Sequence, residues 1–455
     1  MSIITINPAN EQTIMTYETM TPEYVKQLIE SCYTDTAQWS NETIFQRSKK
    51  MEHVADILLE NKNHYAALIT TEMGKPLKSA VAEIEKCALA CRHFSIHAKT
   101  YLTSRTIETE LSKSYVTYTP LGIIFGIMPW NFPFWQVFRV AAPALMAGNG
   151  FLLKHAPNTT GCGLEIEKIF RDADFPQHIF RTLLIETEQA VEIIKHPYIH
   201  AVTLTGSDRT GKKVGALALE SLKKIGLELG GSDPYIVLED ADLELAVNCI
   251  LASRLNNSGQ SCIAAKRLLV VQPIRAAFEK LLLKKLTEYN VGDPTDETIQ
   301  LGPLARADLR DHLHQQIKTS VKQGAKIIQG GFIPNQPGFY YPITVLTHVK
   351  KGMVAYEEEL FGPVITFIDV INETEAIEIA NDTKYGLGAA VFTKDKSRGE
   401  KIAVEKIKAG TVFVNDFVRS DPRLPFGGIK ASGFGRELSE EGIREFVNVK
   451  TIGIR

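Results

Sequence analysis

Two residues in separate glycine-containing segments, Cys262 and Glu228, have side chains that could carry out covalent catalysis. Cys262 closes the segment 257–262, and Glu228 lies in the segment 227–231, which ends in two glycines. A thiol can act as the nucleophile and a carboxylate as the general base where a fold brings them together. A single cysteine is more often a small buried apolar residue, and a single glutamate is usually solvated. The interpretation therefore depends on the residues around them.

The elements that flank Cys262 predict its position. Apolar residues recur at helical spacing before it, at Leu243, Ala246, Val247, Ile250 and Leu251. Ser258 and Gly259 interrupt this pattern, and strand-forming residues follow at 268–272. We therefore predict that Cys262 lies in a turn between a helix and a strand, where its side chain can face a cleft.

Upstream of Glu228 the sequence alternates between short buried strands and helical segments. The predicted strands are 123–127, 151–154, 182–185 and 201–204. This alternation predicts an α/β fold with a doubly wound parallel sheet, and a second alternation begins after Gly231. Ligands bind such sheets at the carboxyl ends of the strands.

Two segments near the predicted strand ends carry polar groups. Asn131 is bracketed by Pro129 and Pro133, which restrict the backbone, so that its amide can be aimed. The segment 205–213 is close to a phosphate-binding P-loop, but Lys213 stands where that motif needs Ser or Thr. Its backbone N–H groups at a helix N-terminus suit a pyrophosphate. The alternative is an ordinary strand-to-helix turn with no ligand, which glycines also favour.

Composition excludes several classes of protein. The chain has 455 residues, 44% of them hydrophobic and 23% charged, with a net charge of −2, so we expect no nucleic-acid partner. Its six cysteines include no CxxC pair and no zinc-like cluster, so we expect no metal and a reducing compartment. No signal peptide or membrane-spanning segment is evident, which predicts a cytoplasmic protein.

Six motifs together resemble the aldehyde dehydrogenase superfamily, from near Asn7 to the C-terminus. They occur in the family's order and spacing, at 129–133, 205–207, 228–231, 259–262, 359–363 and 425–428. Within the superfamily the chain is most similar to the shorter bacterial succinate-semialdehyde dehydrogenases.

This resemblance implies a division of the chain into three parts. Residues 1–112 and 126–230 would form a Rossmann-like dinucleotide-binding domain, and residues 231–435 a catalytic domain. Residues 113–125 and 436–455 would form a small oligomerisation sheet in a homodimer or homotetramer.

The resemblance also implies a mechanism and its catalytic residues. Cys262 would add to the aldehyde, and the Asn131 side chain with the Cys262 backbone N–H would stabilise the oxyanion. Hydride would leave to the nicotinamide, and Glu228 would activate the water that hydrolyses the thioester. An acylating, coenzyme-A-dependent relative is disfavoured because Glu228 is present, and a catalytically silent homologue because all three residues are intact.

The residues expected to bind the cofactor follow from the same matching. They are Met128, Pro129, Trp130, Lys154, Gly206, Ser207, Gly211, Leu229, Glu359 and Phe361. Many relatives have a glutamate three residues after the lysine, where it repels a 2′-phosphate, but here the residue is Pro157. Both NAD and NADP are therefore expected to be used. We expect a preference for NAD, because Lys154 is the one evident cation near that position.

Substrate recognition is expected at Arg139, with Ser420 assisting. An arginine eight residues after the asparagine holds the substrate carboxylate in succinate-semialdehyde dehydrogenases, and Arg suits that task. The family's second arginine is Asn256 here, for which Arg419 or Arg423 could compensate. A buried ion pair is the alternative role for Arg139. Another semialdehyde or an aliphatic aldehyde is the alternative substrate.

Overall fold

The computed structural model describes residues 2–455. Its strands are β1 (Ser2–Ile6), β2 (Thr13–Glu18), β3 (Arg105–Thr106), β4 (Lys113–Pro120), β5 (Ile123–Ile127), β6 (Gly150–Lys154), β7 (Phe180–Thr182), β8 (Ile199–Thr205), β9 (Lys224–Glu228), β10 (Asp233–Val237), β11 (Ala265–Val270), β12 (Lys326–Gln329), β13 (Thr344–Val349), β14 (Val364–Ile368), β15 (Gly388–Phe392), β16 (Thr411–Val414), β17 (Gly433–Phe434) and β18 (Val447–Ile454).

Helices separate most of these strands. They are α1 (Pro22–Trp39), α2 (Ile44–Glu60), α3 (Lys62–Met73), α4 (Leu77–Tyr101), α5 (Trp135–Met146), α6 (Thr160–Asp172), α7 (Thr187–Lys195), α8 (Asp208–Glu220), α9 (Leu243–Leu255), α10 (Gln272–Leu286), α11 (Ala307–Lys322), α12 (Val354–Glu357), α13 (Glu373–Asn381), α14 (Lys396–Glu405) and α15 (Ser439–Glu445). Helix α1 begins at Pro22, and the Thr21 hydroxyl caps it by accepting from the Tyr24 amide.

A six-stranded sheet occupies the first half of the chain, in the order β17-β9-β8-β5-β6-β7. All its strands are parallel except the short β17, which is antiparallel to β9. Ile123, Ile124 and Phe125 are fully buried because helices cover both faces of the sheet. The strand that the sequence predicted at 182–185 is observed further upstream, as β7 (Phe180–Thr182). A buried apolar run does not by itself mark where strand pairing stops.

A seven-stranded sheet follows, in the order β12-β13-β14-β11-β10-β15-β16. Only β12 pairs antiparallel within it, so the predicted α/β class with two largely parallel sheets is confirmed.

A third sheet of three antiparallel strands has the order β18-β4-β3. The expected boundary between residues 125 and 126 falls inside β5, which belongs to the six-stranded sheet. Residues 123–125 therefore lie outside the small sheet to which the sequence analysis assigned them. Within residues 2–455, no helix combines the length and the apolar character needed to cross a membrane.

Candidate active site

The backbone before Cys262 has an unusual conformation. Helix α9 ends at Leu255, and a 3-10 turn over Asn256–Gly259 leads to the cysteine, as the sequence predicted. Asn257, Ser258 and Gly259 have φ values of 54°, 53° and 75° in succession. Non-glycine residues rarely adopt this region, and such strain concentrates at functional sites. Gly259 also packs so closely on Gly362 that a Cβ would collide with its carbonyl group.

Cys262 lines a cleft of about 220 Å³. Burial raises the pKa of the Cys262 thiol to about 12, and the cations of Arg139 and Lys266 oppose that rise. The thiol is therefore protonated at neutral pH in this state, and its activation requires the loss of that proton.

Asn131 is cross-linked to the segment that carries the cysteine. Its side-chain amide donates to the Gln260 carbonyl at 3.0 Å, and the Asn257 side chain donates to the Asn131 carbonyl at 2.7 Å. Glu83 of α4 holds the following helix, because one of its oxygens accepts from the backbone amides of Phe134 and Trp135. The Asn131 amide is therefore tied to Gln260, two residues before Cys262 in the chain.

Glu228 lies at the carboxyl end of β9 and does not line the Cys262 cleft. It is 4% exposed and its carboxylate lies beside Gly427. Both of its oxygens are buried without a hydrogen-bond partner among residues 2–455. Burial first, and then the neighbouring Glu437, raise the pKa of Glu228 well above its ordinary value.

Arg139, on α5, forms a buried ion pair. Its Nε contacts Glu437, its Nη2 donates to the Thr205 hydroxyl at 3.4 Å, and its guanidinium lies 4.8 Å from the centre of the Phe426 ring. The ion pair is the alternative that the sequence left open. Arg139 also lines the Cys262 cleft, so the pairing does not remove it from a substrate's reach.

Ser420 lies in the same cleft, where the sequence analysis expected it, but its partner there was not predicted. The Lys86 ammonium donates to the Ser420 hydroxyl at 2.8 Å and lies 4.2 Å from the centre of the Trp135 ring. Lys86 belongs to the long helix α4, and its position in the sequence carries no signal that it faces a cleft.

Strand pairing brings the expected cofactor-binding residues to one edge of the six-stranded sheet. Ile127 pairs with Lys154 on one side and with Leu204 on the other, and Thr205 pairs with Glu228. The segments that follow β5, β8 and β9 contain Met128, Pro129, Trp130, Gly206, Ser207, Gly211 and Leu229. These residues therefore meet at the carboxyl ends of parallel strands, where ligands of such sheets bind.

This edge fits a dinucleotide. Ser207 caps α8, a helix of 13 residues, and the space beside the Gly206 α-carbon is open. A phosphate can approach the helix N-terminus there. Leu229 packs against Gly211, where a Cβ would not fit, and Lys154 is half-buried at the end of β6. Pro157 is exposed at the start of a 3-10 turn and presents no carboxylate there.

Glu359 and Phe361 lie on the facing side of the site. Glu359 accepts from the Gly231 amide at 3.2 Å, and the Phe361 ring meets the Trp130 ring edge-on at 5.8 Å.

Sequence reasoning missed Lys266. Its buried ammonium donates to the carbonyl of Cys262 at 2.7 Å and lies 3.1 Å from Glu359. A lysine in a buried strand is a signal that a partner must exist.

Comparisons with known proteins agree with this geometry. The model of the aldehyde dehydrogenase family matches residues 1–452. The chain is 46% identical over 454 residues to a protein of Synechocystis named a probable NADP(+) succinate-semialdehyde dehydrogenase, with full coverage of both. It is 42% identical to the NAD(P)+ succinate semialdehyde dehydrogenase Sad of Escherichia coli, covering 99% and 97% of the two chains. The succinic semialdehyde dehydrogenase of Streptococcus pyogenes, solved with NADP+, superposes with a TM-score of 0.97 at 35% identity, covering 99% of each chain.

Proposed function

This chain belongs to the aldehyde dehydrogenase family, and we propose that it oxidises succinate semialdehyde to succinate with a nicotinamide dinucleotide. The observation that carries the proposal is the composition of the Cys262 cleft, which is lined by the cations Lys86, Arg139 and Arg419. A thiol beside several cations suits an aldehyde that bears a carboxylate at its other end. The names of the relatives support the same substrate.

Cys262 would be the nucleophile. Its thiolate adds to the aldehyde carbon, and the resulting thiohemiacetal oxyanion needs hydrogen-bond donors already in place. The Asn131 amide, which donates to the Gln260 carbonyl two residues before Cys262, would be one donor, and the Cys262 backbone N–H would be the second. Loss of hydride from this intermediate leaves a thioester on Cys262.

Glu228 would act after hydride has left. Its carboxylate is packed beside Gly427 with no hydrogen bond, so no polar contact has to break when it turns toward the cleft. Once deprotonated, it takes a proton from water, and the hydroxide attacks the thioester carbonyl. The acid is then released and the Cys262 thiol is regenerated.

The cofactor would lie across the edge formed by Lys154, Gly206, Ser207 and Leu229, with Glu359 toward its nicotinamide ribose. When bound, the cofactor accepts the hydride. The names of the relatives specify NADP or NAD(P), so the preference for NAD expected from the sequence is not retained. We propose that NADP is used, since Pro157 presents no carboxylate to a 2′-phosphate.

The assembly would be a homodimer or homotetramer built through the small sheet β18-β4-β3. Strand β18 lies at an edge of this sheet, and Val449 and Ile454 on it are 60% and 46% exposed. An unpaired strand edge with exposed apolar side chains is suited to pairing with a second copy. The division into dinucleotide-binding, catalytic and oligomerisation parts is likewise a proposal, with β5 moved into the first.

The substrate is tested by comparing succinate semialdehyde with butyraldehyde, which has the same chain length without the charge. A charge-assisted hydrogen bond contributes roughly 1.5–3 kcal/mol, so kcat/KM for the acidic aldehyde should be about ten- to a hundredfold higher. Formation of the reduced cofactor, followed by absorbance, gives both values. Equal values would reject succinate semialdehyde and favour a general aldehyde dehydrogenase.

A further inference from the structure

The cations that line the Cys262 cleft differ in how far their charges are already neutralised. Arg139 is ion-paired with the buried Glu437. Arg419 is half-exposed and lies 2.8 Å from Asp416. Neither guanidinium is therefore a free positive charge in the cleft.

Lys86 is the third cation, and its ammonium has no carboxylate within 4.0 Å among residues 2–455. Two acidic residues are near it in the sequence or in space, but other groups already engage both. Glu83 pairs with Lys75, and Asp421 forms a two-pronged ion pair with Arg423. An ammonium has three donors, and one of them is used by the Ser420 hydroxyl, so further donors remain for a ligand.

The surroundings of Lys86 hold its side chain in place. Its ammonium lies over the Trp135 ring at 4.2 Å, a cation–π contact that fixes its position while leaving its donors free. Ser420, Trp135 and Asn256 all line the same cleft as Cys262. Asn256, at the position that the resemblance assigns to a second arginine, is uncharged.

We propose that Lys86, together with Ser420, binds the carboxylate of the substrate and supplies the charge that Asn256 does not. This inference rests on the proposed oxidation of an aldehyde that bears a carboxylate. Arg139, already shared with Glu437, would contribute a weaker, longer-range attraction. The ammonium and the hydroxyl form a small donor pair suited to the two oxygens of a carboxylate.

The first test replaces Lys86 by methionine, which keeps the length of the side chain and removes its charge. The ratio of kcat/KM for succinate semialdehyde to that for butyraldehyde should fall about ten- to a hundredfold, mainly through a higher KM for the acid. The kcat for butyraldehyde should change little. Lys78→Met is the matched control, because Lys78 is exposed on the same helix.

The second test needs no variant and uses pH. The titratable groups near the Lys86 ammonium are Glu83 and the neutral thiol of Cys87 on its own helix, Arg139 on α5, and Asp421 and Arg419 on the 416–423 loop. Burial, with Arg139 adding to it, lowers the pKa of Lys86 to about 8. The ammonium is lost as pH rises through that value, so the preference for the acidic aldehyde should fall between pH 7 and pH 9. Lys86→Arg should keep the preference and remove its pH dependence, because a guanidinium stays charged.

The outcomes separate this inference from the proposed function. If the parent enzyme does not prefer succinate semialdehyde, the proposed function fails. If the parent shows the preference and Lys86→Met keeps it in full, the role assigned to Lys86 is wrong. Should the methionine variant fail to fold, a parent preference that stays constant from pH 7 to pH 9 would overturn the inference, and a falling one would support it.

Discussion

Arg139 and Glu437 form an ion pair that is almost completely removed from water, with side chains 2% and 8% exposed. Taking two charges into a protein interior costs several kcal/mol for each, and their attraction offsets this only while both are present. The ion pair therefore links the position of Arg139, a residue that lines the cleft, to that of Glu437 in the C-terminal segment beyond β17. Glu437 also lies near the expected base, since its charge raises the pKa of Glu228.

Arg139→Leu should destabilise the fold by about 3–5 kcal/mol, because Glu437 is left buried without its partner. Burial already raises the pKa of Glu437 to about 7, and Arg139 opposes that rise. Without Arg139 the pKa of Glu437 rises further, so stability continues to fall at higher pH. The loss should therefore be larger at pH 8 than at pH 6. Urea unfolding at fixed protein concentration measures it.

The matched control removes both charges. Arg139→Leu combined with Glu437→Leu should recover most of the lost stability, since two apolar residues can replace a buried pair at little cost. A single variant as stable as the parent would mean that the ion pair contributes nothing to the fold.

Cys262→Ala should abolish aldehyde oxidation, because no other group in the cleft can form the thioester. Binding of the reduced cofactor, measured by its fluorescence, should be unchanged. Cys249→Ala is the control, since Cys249 is half-buried on α9 outside the cleft and should retain activity. Oxidation at the parent rate by the Cys262 variant would refute covalent catalysis at this residue.

Glu228→Gln should separate the two halves of the reaction. The first turnover should release about one equivalent of reduced cofactor per site, and the steady state should be slow because the thioester persists. Because burial raises the pKa of Glu228, the parent's thioester hydrolysis should still accelerate with rising pH above the range in which an ordinary glutamate titrates, and the variant should lack this response. Rapid-mixing absorbance across pH 6–9 tests both. An unaltered steady state would remove Glu228 from the role of base.

Motifs that act through the local backbone were recognisable in the sequence. The prolines around Asn131 predicted a restricted backbone there, and the break after α9 predicted the turn that carries the thiol, because short-range sterics determine such turns. The rotamer of Glu228 was not predictable, since its orientation depends on packing against Gly427 from a distant segment.

Pairs between distant segments were also beyond sequence reasoning. Lys86 and Ser420 are 334 positions apart, and no periodicity connects a residue of a long helix to a loop near the C-terminus. For Arg139 the sequence indicated that a buried charge needs a partner, but it did not identify Glu437. A single charged residue in an apolar helix indicates that it has an oppositely charged or polar partner, but it does not identify the partner residue.

The last prediction concerns cofactor selectivity at Pro157. This residue is exposed at the first position of a 3-10 turn, so a longer side chain can replace it without entering the core. Pro157→Glu places a carboxylate where a 2′-phosphate is expected, and two like charges about 4 Å apart near a protein surface repel by up to about 4 kcal/mol. The ratio of kcat/KM for NADP to that for NAD should fall at least about tenfold.

Pro157→Gln is the control for this change, because it has the same shape as glutamate and carries no charge. It should leave the cofactor ratio within about threefold of the parent, a difference below 1 kcal/mol. The repulsion should weaken in the glutamate variant as salt is raised, since ions screen exposed charges over about 8 Å at physiological strength. A similar fall in both variants would assign the effect to side-chain size. An unchanged ratio in Pro157→Glu would place the 2′-phosphate elsewhere on the protein.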